Sequence, residues 1–194
     1  MPSQPISRIS VPAEQTLPED IRAVFAEMRA KPGFVPNVYR AYSLRPQQLR
    51  GFIALYDSIM NDDSGLTKAE REMIAVAVSA HNHCFYCLAS HGAVLRIRAK
   101  DEVLADTIAA NYRAADLTAR QRAMLDLAIK ITVASATVED QDIAALREHG
   151  FTEEDILDII QTAAFFNYSN RVASALNLRP NREYHGMARG GSGG

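Results

Sequence analysis

Residues 66–96 read LTKAEREMIAVAVSAHNHCFYCLASHGAVLR, a stretch that holds both cysteines of the chain, three of its five histidines and an acid, Glu72, set inside an apolar run. Thr67 followed by Glu70 is a capping box, so a helix starts there. Met73 to Ala80 is apolar almost all round, which makes this helix, over 68–80, central rather than superficial. Cys84 and Cys87 form a C-x-x-C, with His91 four residues on. On a helix over about 83–97 these three side chains fall within roughly 60° of one another, so two thiols and an imidazole share a face. Were 68–97 one unbroken helix, Glu72 would stand about 18 Å from Cys84 along the axis and about 120° round it, out of reach. His81-Asn82-His83 offers a break, because Asn and His are indifferent helix formers and Asn tolerates turn conformations. A short αα-hairpin there brings Glu72 level with Cys87 and His91.

Working outward, every other segment also reads as helix. Pro18-Glu19-Asp20 opens one to about Ala30, with Ile21, Val24, Phe25 and Met28 as its buried stripe, and Lys31-Pro32-Gly33 ends it. A short helical stretch near 37–43 precedes a third helix from Arg45-Pro46 to about Met60. Beyond the central pair, helices are expected over 101–113, from Thr118 to about Ser135 with a second capping box to Gln121, over 140–148, and over 153–176. No strand alternation is present, so the fold class is all-α, a helical fold whose central hairpin carries the C-x-x-C. The division expected is an extended proline-rich arm over 1–18, one helical domain over 19–185, and a flexible glycine-rich tail over 186–194 of the composition found in expression scars.

One internal echo stands out: Leu66-Thr67-x-x-x-Arg71-x-Met73 recurs as Leu117-Thr118-x-x-x-Arg122-x-Met124. It reads equally as a shared cap or as a duplication. In the second copy Glu72, Cys84, Cys87 and His91 are matched by Ala123, Ser135, Val138 and Asp142. Either way the site is single per chain.

Composition excludes several classes. The chain has 194 residues, 47% of them hydrophobic, with no tryptophan, a formal charge of -2 and a pI of about 6.2. That is enough to bury a core, and it leaves no basic surface for nucleic acid. No apolar run approaches the ~20 residues of a membrane span, and the N-terminus lacks a signal peptide's apolar core, so a cytoplasmic location is expected. In a reducing compartment a C-x-x-C is redox-active or metal-binding rather than a structural staple.

The chemistry that fits is thiol chemistry. Two thiols at a helix start can cycle between dithiol and disulfide, and the helix dipole favours a thiolate, by which reasoning Cys84 is the more acidic. A thiolate attacks a peroxide to give a sulfenic acid, and the second thiol condenses with it. His91 can take the thiol proton and Glu72 can relay it. This chemistry calls for no cofactor and no metal. Against it stand a packing role for the cysteines and a zinc site of Cys84, Cys87, His91 and His83 or His81, which one helix face supplies poorly. The cluster Asn167, Tyr168, Asn170 and Arg171 interrupts the last helix's apolar pattern and reads as a polar seam or an oligomer contact.

Glu72, then Cys84-x-x-Cys87-x-x-x-His91, resembles the signature of the AhpD-like alkylhydroperoxidase branch of the carboxymuconolactone decarboxylase superfamily. Gly33-Phe34-Val35-Pro36-Asn37, Leu44-Arg45-Pro46, the run from Glu70 to Ala80, and Phe166-Asn167-Tyr168-x-Asn170-Arg171 are similar to its uncharacterised peroxidase-related subgroup, over roughly residues 17–180. The resemblance implies an AhpD-like fold, a homo-oligomer (trimer or hexamer), and Glu72, Cys84, Cys87 and His91 as a proton relay with a redox pair. It implies that Cys87 meets the substrate, a small organic hydroperoxide or hydrogen peroxide, and that Cys84 resolves. Electrons would return from a thioredoxin-like or lipoyl-bearing protein. Tyr86 departs from the pattern, standing where those members carry a relay histidine; a phenol with a pKa of about 10 shuttles protons poorly at neutral pH. His83 is the candidate substitute, and His83 and Tyr86 are the assisting residues to place. The alternatives are a lyase of the decarboxylase kind, using His91 or His83 with Glu72, and a non-enzymatic redox-sensing or zinc-binding scaffold.

Overall fold

The computed structural model describes residues 5–190; the first four residues of the expected arm and residues 191–194 of the expected tail lie outside them. The described residues form ten α-helices, short 3-10 turns and no strand: α1 Glu19–Ala30, α2 Asn37–Tyr42, α3 Pro46–Met60, α4 Lys68–His81, α5 Phe85–Ala99, α6 Leu104–Asn111, α7 Ala119–Ala134, α8 Asp140–Glu148, α9 Glu153–Ala175 and α10 Glu183–Gly186. The fold is therefore all-helical.

α4 is its centre. Its capping box closes in both directions, the Glu70 amide donating to Thr67 Oγ1 at 3.1 Å and the Thr67 amide to Glu70 Oε2 at 2.9 Å. Ten consecutive residues, Glu70 to Ser79, are buried, because α5, α6, α7 and α9 pack around the helix and α3 lies against it. Ile74, Val76, Val78, Leu95, Ile159 and Phe166 are closed to solvent in this core. Each is worth about 1.5–3 kcal/mol relative to exposure. An all-round apolar sequence is what such a position requires.

Three boundaries differ from expectation. α5 begins at Phe85 rather than 83, since His83 adopts a left-handed backbone (φ 52°) and Cys84 is extended (φ -83°, ψ 95°). α6 begins only at Leu104, because Asp101 Oδ1 accepts the Val103 and Leu104 amides (2.8 and 3.0 Å) and holds a turn there. α10 was not expected; it is a single turn whose Tyr184 is buried against Phe34, ring edge to ring face at 5.0 Å.

Arm and tail both dock. The Arg8 amide donates to the Leu176 carbonyl and the Arg179 amide to the Ile6 carbonyl, pinning the arm along the chain that follows α9. In the described part of the tail, Arg96 donates to the Met187 carbonyl and Arg189 grips Asp106 with both terminal nitrogens. Among the described residues no helix is long and apolar enough to cross a membrane.

Candidate functional site

α4 and α5 are joined by Asn82, His83 and Cys84, and the connection is held from outside. Asn82 Nδ2 donates to the Oδ1 atoms of Asn167 and Asn170, each at 3.0 Å, and Asn170 Nδ2 donates to Ser79 Oγ at 2.9 Å. The polar residues that interrupt α9 thus form a seam under the turn. Asn170 is 1% exposed, so each of its amide hydrogen bonds replaces water that cannot reach it.

Across the two helices Glu72 Oε2 lies 2.7 Å from His91 Nδ1, with both side chains largely shut off from water. With the carboxylate ionised, Nδ1–H is the donor and Nε2 keeps its lone pair for another partner. The edge of the Phe166 ring packs on the imidazole, centroids 4.5 Å apart at 79°, and fixes its plane.

Cys84 and Cys87 are free thiols, 1% and 2% exposed. Cys87 and His91 lie one turn apart on α5; Cys84 lies outside the helix at its N-cap position, so the expected three-residue face is a two-residue face with Cys84 approaching from the end. The two sulfurs are neighbours whose titrations are linked. The Cys87 thiol as donor is the largest influence pulling Cys84 down to about 6, burial opposes it, and the Cys87 amide, the Ser174 hydroxyl and the Asn170 amide add to the lowering. Cys87 moves well above the ordinary thiol value, first because Cys84 holds its proton in that bond and then because it is buried. For the pair the direction is therefore a lowered Cys84 and a raised Cys87.

Cys87 and His91 open into a cavity of about 120 Å³ walled by Val38, Tyr39, Phe52, Tyr56, Phe165 and Tyr184. Such a space takes a small, largely apolar molecule and presents it to a thiol and an imidazole. Tyr86 is buried, and its hydroxyl accepts the Val38 amide at 3.1 Å. Burial raises that phenol well above its usual value, so it keeps its proton and serves as wall. His83 lies exposed on the Cys84 side, away from the Glu72–His91 contact, and His81 is exposed. Among the described residues no three of His, Cys, Asp and Glu converge as metal ligands, so Cys84, Cys87, His91 and His83 or His81 do not form the tetrahedron a zinc scaffold needs.

Sequence reading missed Ser169, Asn170 and Ser174 as neighbours of the sulfurs. For Asn170 a signal existed, a polar break in an apolar helix pattern; the two serines gave none.

The model of the carboxymuconolactone decarboxylase family matches residues 46–111, which span α3 to α6. A structure described as an alkylhydroperoxidase AhpD core, an uncharacterised peroxidase-related protein from Ralstonia eutropha JMP134, is 51% identical, superposes with a TM-score of 0.95, and is matched over 97% of this chain and 99% of that one. An uncharacterised peroxidase-related protein from Silicibacter sp. TM1040 is 46% identical, with a TM-score of 0.93 and the same coverage. The debrominase Bmp8, solved with 2,3,4-tribromopyrrole, is 17% identical, with a TM-score of 0.78 over 93% of this chain and 97% of that one; it shares the fold. No curated protein matches the chain in sequence.

Proposed function

This chain belongs to the carboxymuconolactone decarboxylase superfamily, in its AhpD-like, peroxidase-related branch, and from that premise we propose that it is an enzyme that reduces small organic hydroperoxides, or hydrogen peroxide, at the Cys84–Cys87 pair. The observation that carries the reading is the 2.7 Å contact of Glu72 with His91 at an aromatic cavity that Cys87 lines, with Cys84 as its neighbouring thiol.

The Cys87 thiol, high in pKa, needs a base, and His91 Nε2 is the base on its side of the cavity. The Cys87 thiolate attacks the terminal oxygen of the hydroperoxide. A sulfur–oxygen bond forms, the oxygen–oxygen bond breaks, and the alkoxide takes the proton from His91 and leaves as the alcohol. Glu72 stabilises the imidazolium between those transfers. The Cys84 thiolate then attacks the Cys87 sulfenic acid; a disulfide forms and hydroxide leaves, taking up from solvent, as water, the proton that Cys84 had released to it. Two thiols and one hydroperoxide become a disulfide, an alcohol and water. Cys87 is assigned as the peroxide-facing sulfur because it shares the cavity with His91, and Cys84 as the resolving one, although Cys84 is the more acidic.

Reduced protein mixed with cumene hydroperoxide should lose both thiols and show a Cys84–Cys87 bridge by mass spectrometry. A Cys87→Ser variant that consumes peroxide as fast as the wild type overturns the assignment. Electron return from a thioredoxin-like or lipoyl-bearing protein, and assembly as a trimer or hexamer, belong to the same proposal; turnover with such a donor and light scattering test them.

A second reading is favoured by one observation: Glu72 and His91 form an acid–base pair that needs no sulfur, in a chain matched by a decarboxylase family model. A lyase acting on a lactone or keto acid would keep its rate when both cysteines are replaced.

A further inference from the structure

The two sulfurs open on different sides of α5. Cys87 lines the aromatic cavity with His91, whereas Cys84 lines a separate groove of about 390 Å³. Tyr86 belongs to both walls and stands between them. The groove is bounded by His83, Phe85, Ser174, Asn177 and Arg179. It contains a guanidinium and an imidazole but no carboxylate. Arg179 is exposed; its backbone is fixed, its amide donating to Ile6 and its carbonyl accepting from Asn37, while its guanidinium makes no hydrogen bond or ion pair among the described residues. The start of α5 adds positive potential at the same place. The opposing end of α9 is partly answered by Arg8, whose amide bonds the Leu176 carbonyl and whose guanidinium bonds the Ala175 carbonyl at 2.9 Å.

We propose that the oxidised pair is reduced through this groove, by a small anionic dithiol that sets its carboxylate on Arg179 and attacks Cys84, while hydroperoxide uses the cavity on the Cys87 side. The inference rests on the peroxidase reading, puts a small donor in place of the protein donor named there, and adds where electrons enter and what charge their carrier bears. The reductant's thiolate attacks Cys84 Sγ, forming a mixed disulfide and breaking the Cys84–Cys87 bond. Cys87 leaves with the electron pair and takes a proton from His91, which has regained one from solvent since the peroxide step. The reductant's second thiolate attacks its own sulfur bound to Cys84, closing the reductant's disulfide and releasing Cys84 as a thiolate. Two electrons pass from the dithiol to the pair.

Leaving-group strength alone would direct attack to Cys87, because Cys84 is the better-stabilised thiolate. Both sulfurs are nearly closed to solvent, so the room and charge beside each decide otherwise. The cavity at Cys87 has about a third of the groove's volume and no arginine or lysine in its walls, and its imidazole is already engaged by Glu72. Protonation by His91 offsets the high pKa of Cys87 as it departs, and in the second step Cys84 is the favourable leaving group.

The test separates the half-reactions. Protein oxidised with diamide, so that no peroxide is involved, is reduced by dimercaptosuccinate, which is anionic, or by dimercaptopropanol, a neutral vicinal dithiol, and thiol recovery is timed. Arg179→Glu should slow dimercaptosuccinate by roughly ten-fold or more and dimercaptopropanol by less than about two-fold, the difference shrinking at high salt. Arg179→Ala should lie between. The rate of thiol loss to cumene hydroperoxide, which bypasses the groove, should be that of the wild type. Equal slowing of both dithiols, no slowing, or a slower peroxide step overturns the proposal. Failure of cumene hydroperoxide to oxidise the pair, with the charge effect intact after diamide, removes the peroxidase reading and leaves the groove standing.

Discussion

α4 and α7 begin with the same phrase, Leu-Thr-x-x-x-Arg-x-Met, at 66–73 and 117–124, and the fold gives both the same anatomy. Thr67 with Glu70 and Thr118 with Gln121 close reciprocal capping boxes. Arg71 reaches back to the carbonyls of Ile59 and Asp62, and Arg122 to those of Arg113 and Ala115, so each arginine ties its helix to the connection before it. Met73 and Met124 are both buried. The two helices part company one residue after the arginine, where Glu72 faces Ala123, and again where they end. α4 leads through Asn82-His83-Cys84 into α5; α7 leads into a 3-10 turn, Ser135–Thr137. His91 finds Glu72, whereas its counterpart Asp142 pairs with Lys130 at the surface. The shared phrase is therefore a folding instruction, and the candidate site lies in the positions the copies do not share.

The sharpest way to break the contrast is Glu72→Ala, which gives α4 the residue of α7. It removes the carboxylate that holds His91, and peroxide-dependent thiol loss should slow by about 10²–10⁴-fold, the range for positioned acid–base groups, with the fold retained by circular dichroism. The converse, Ala123→Glu, should confer nothing measurable, since α7 offers no imidazole.

Next come the arginines. Arg71 is 2% exposed, with its Nε unpartnered, while Arg122 is half-buried. Arg71→Met removes a buried guanidinium that holds the Ile59 and Asp62 carbonyls and should cost about 3 kcal/mol, against about 1 kcal/mol for Arg122→Met, in urea unfolding of the reduced protein. Equal losses would mean that burial does not separate the two clamps.

A pH measurement tests the turn that α7 lacks. Thiolate absorbance at 240 nm should appear with a midpoint of about 6. Cys87→Ala removes the hydrogen bond that lowers Cys84 most, and the midpoint should rise. Because the folded value lies below the ordinary 9.0, the thiolate's contribution to stability is full above pH 9.0 and is lost as pH falls through about 6.

The smallest effect is at the caps. Thr118→Ala should cost about 1 kcal/mol. Thr67→Ala should cost somewhat more, because its partner Glu70 is buried and also pairs with Arg120 at 2.9 Å.

Much of this was legible in the chain. Period, caps and the Pro and Gly punctuation located nine of the ten helices within a few residues, since each signal acts over one or two turns. α10 escaped, because its single turn persists only where Tyr184 packs on Phe34 and where Arg96 bonds the Tyr184 carbonyl. The spacing of Glu72, Cys84, Cys87 and His91 was legible for the same local reason. The break at 81–83 could be read from poor helix formers, but the exit of Cys84 from the helix could not. That exit accompanies the left-handed His83 and a turn held by Asn167 and Asn170, some 85 residues on.

The sequence by itself therefore determined which helices form, which of them is buried, and which four side chains carry the candidate chemistry, because these depend on periodicity and capping within a few turns. Only the tertiary structure decided the surroundings that lower one thiol and raise the other, and that Cys87 and Cys84 line different cavities. Both depend on side chains of α9 and on Tyr86 packed between cavity and groove, and through-space burial and hydrogen bonding leave no periodic trace along a chain.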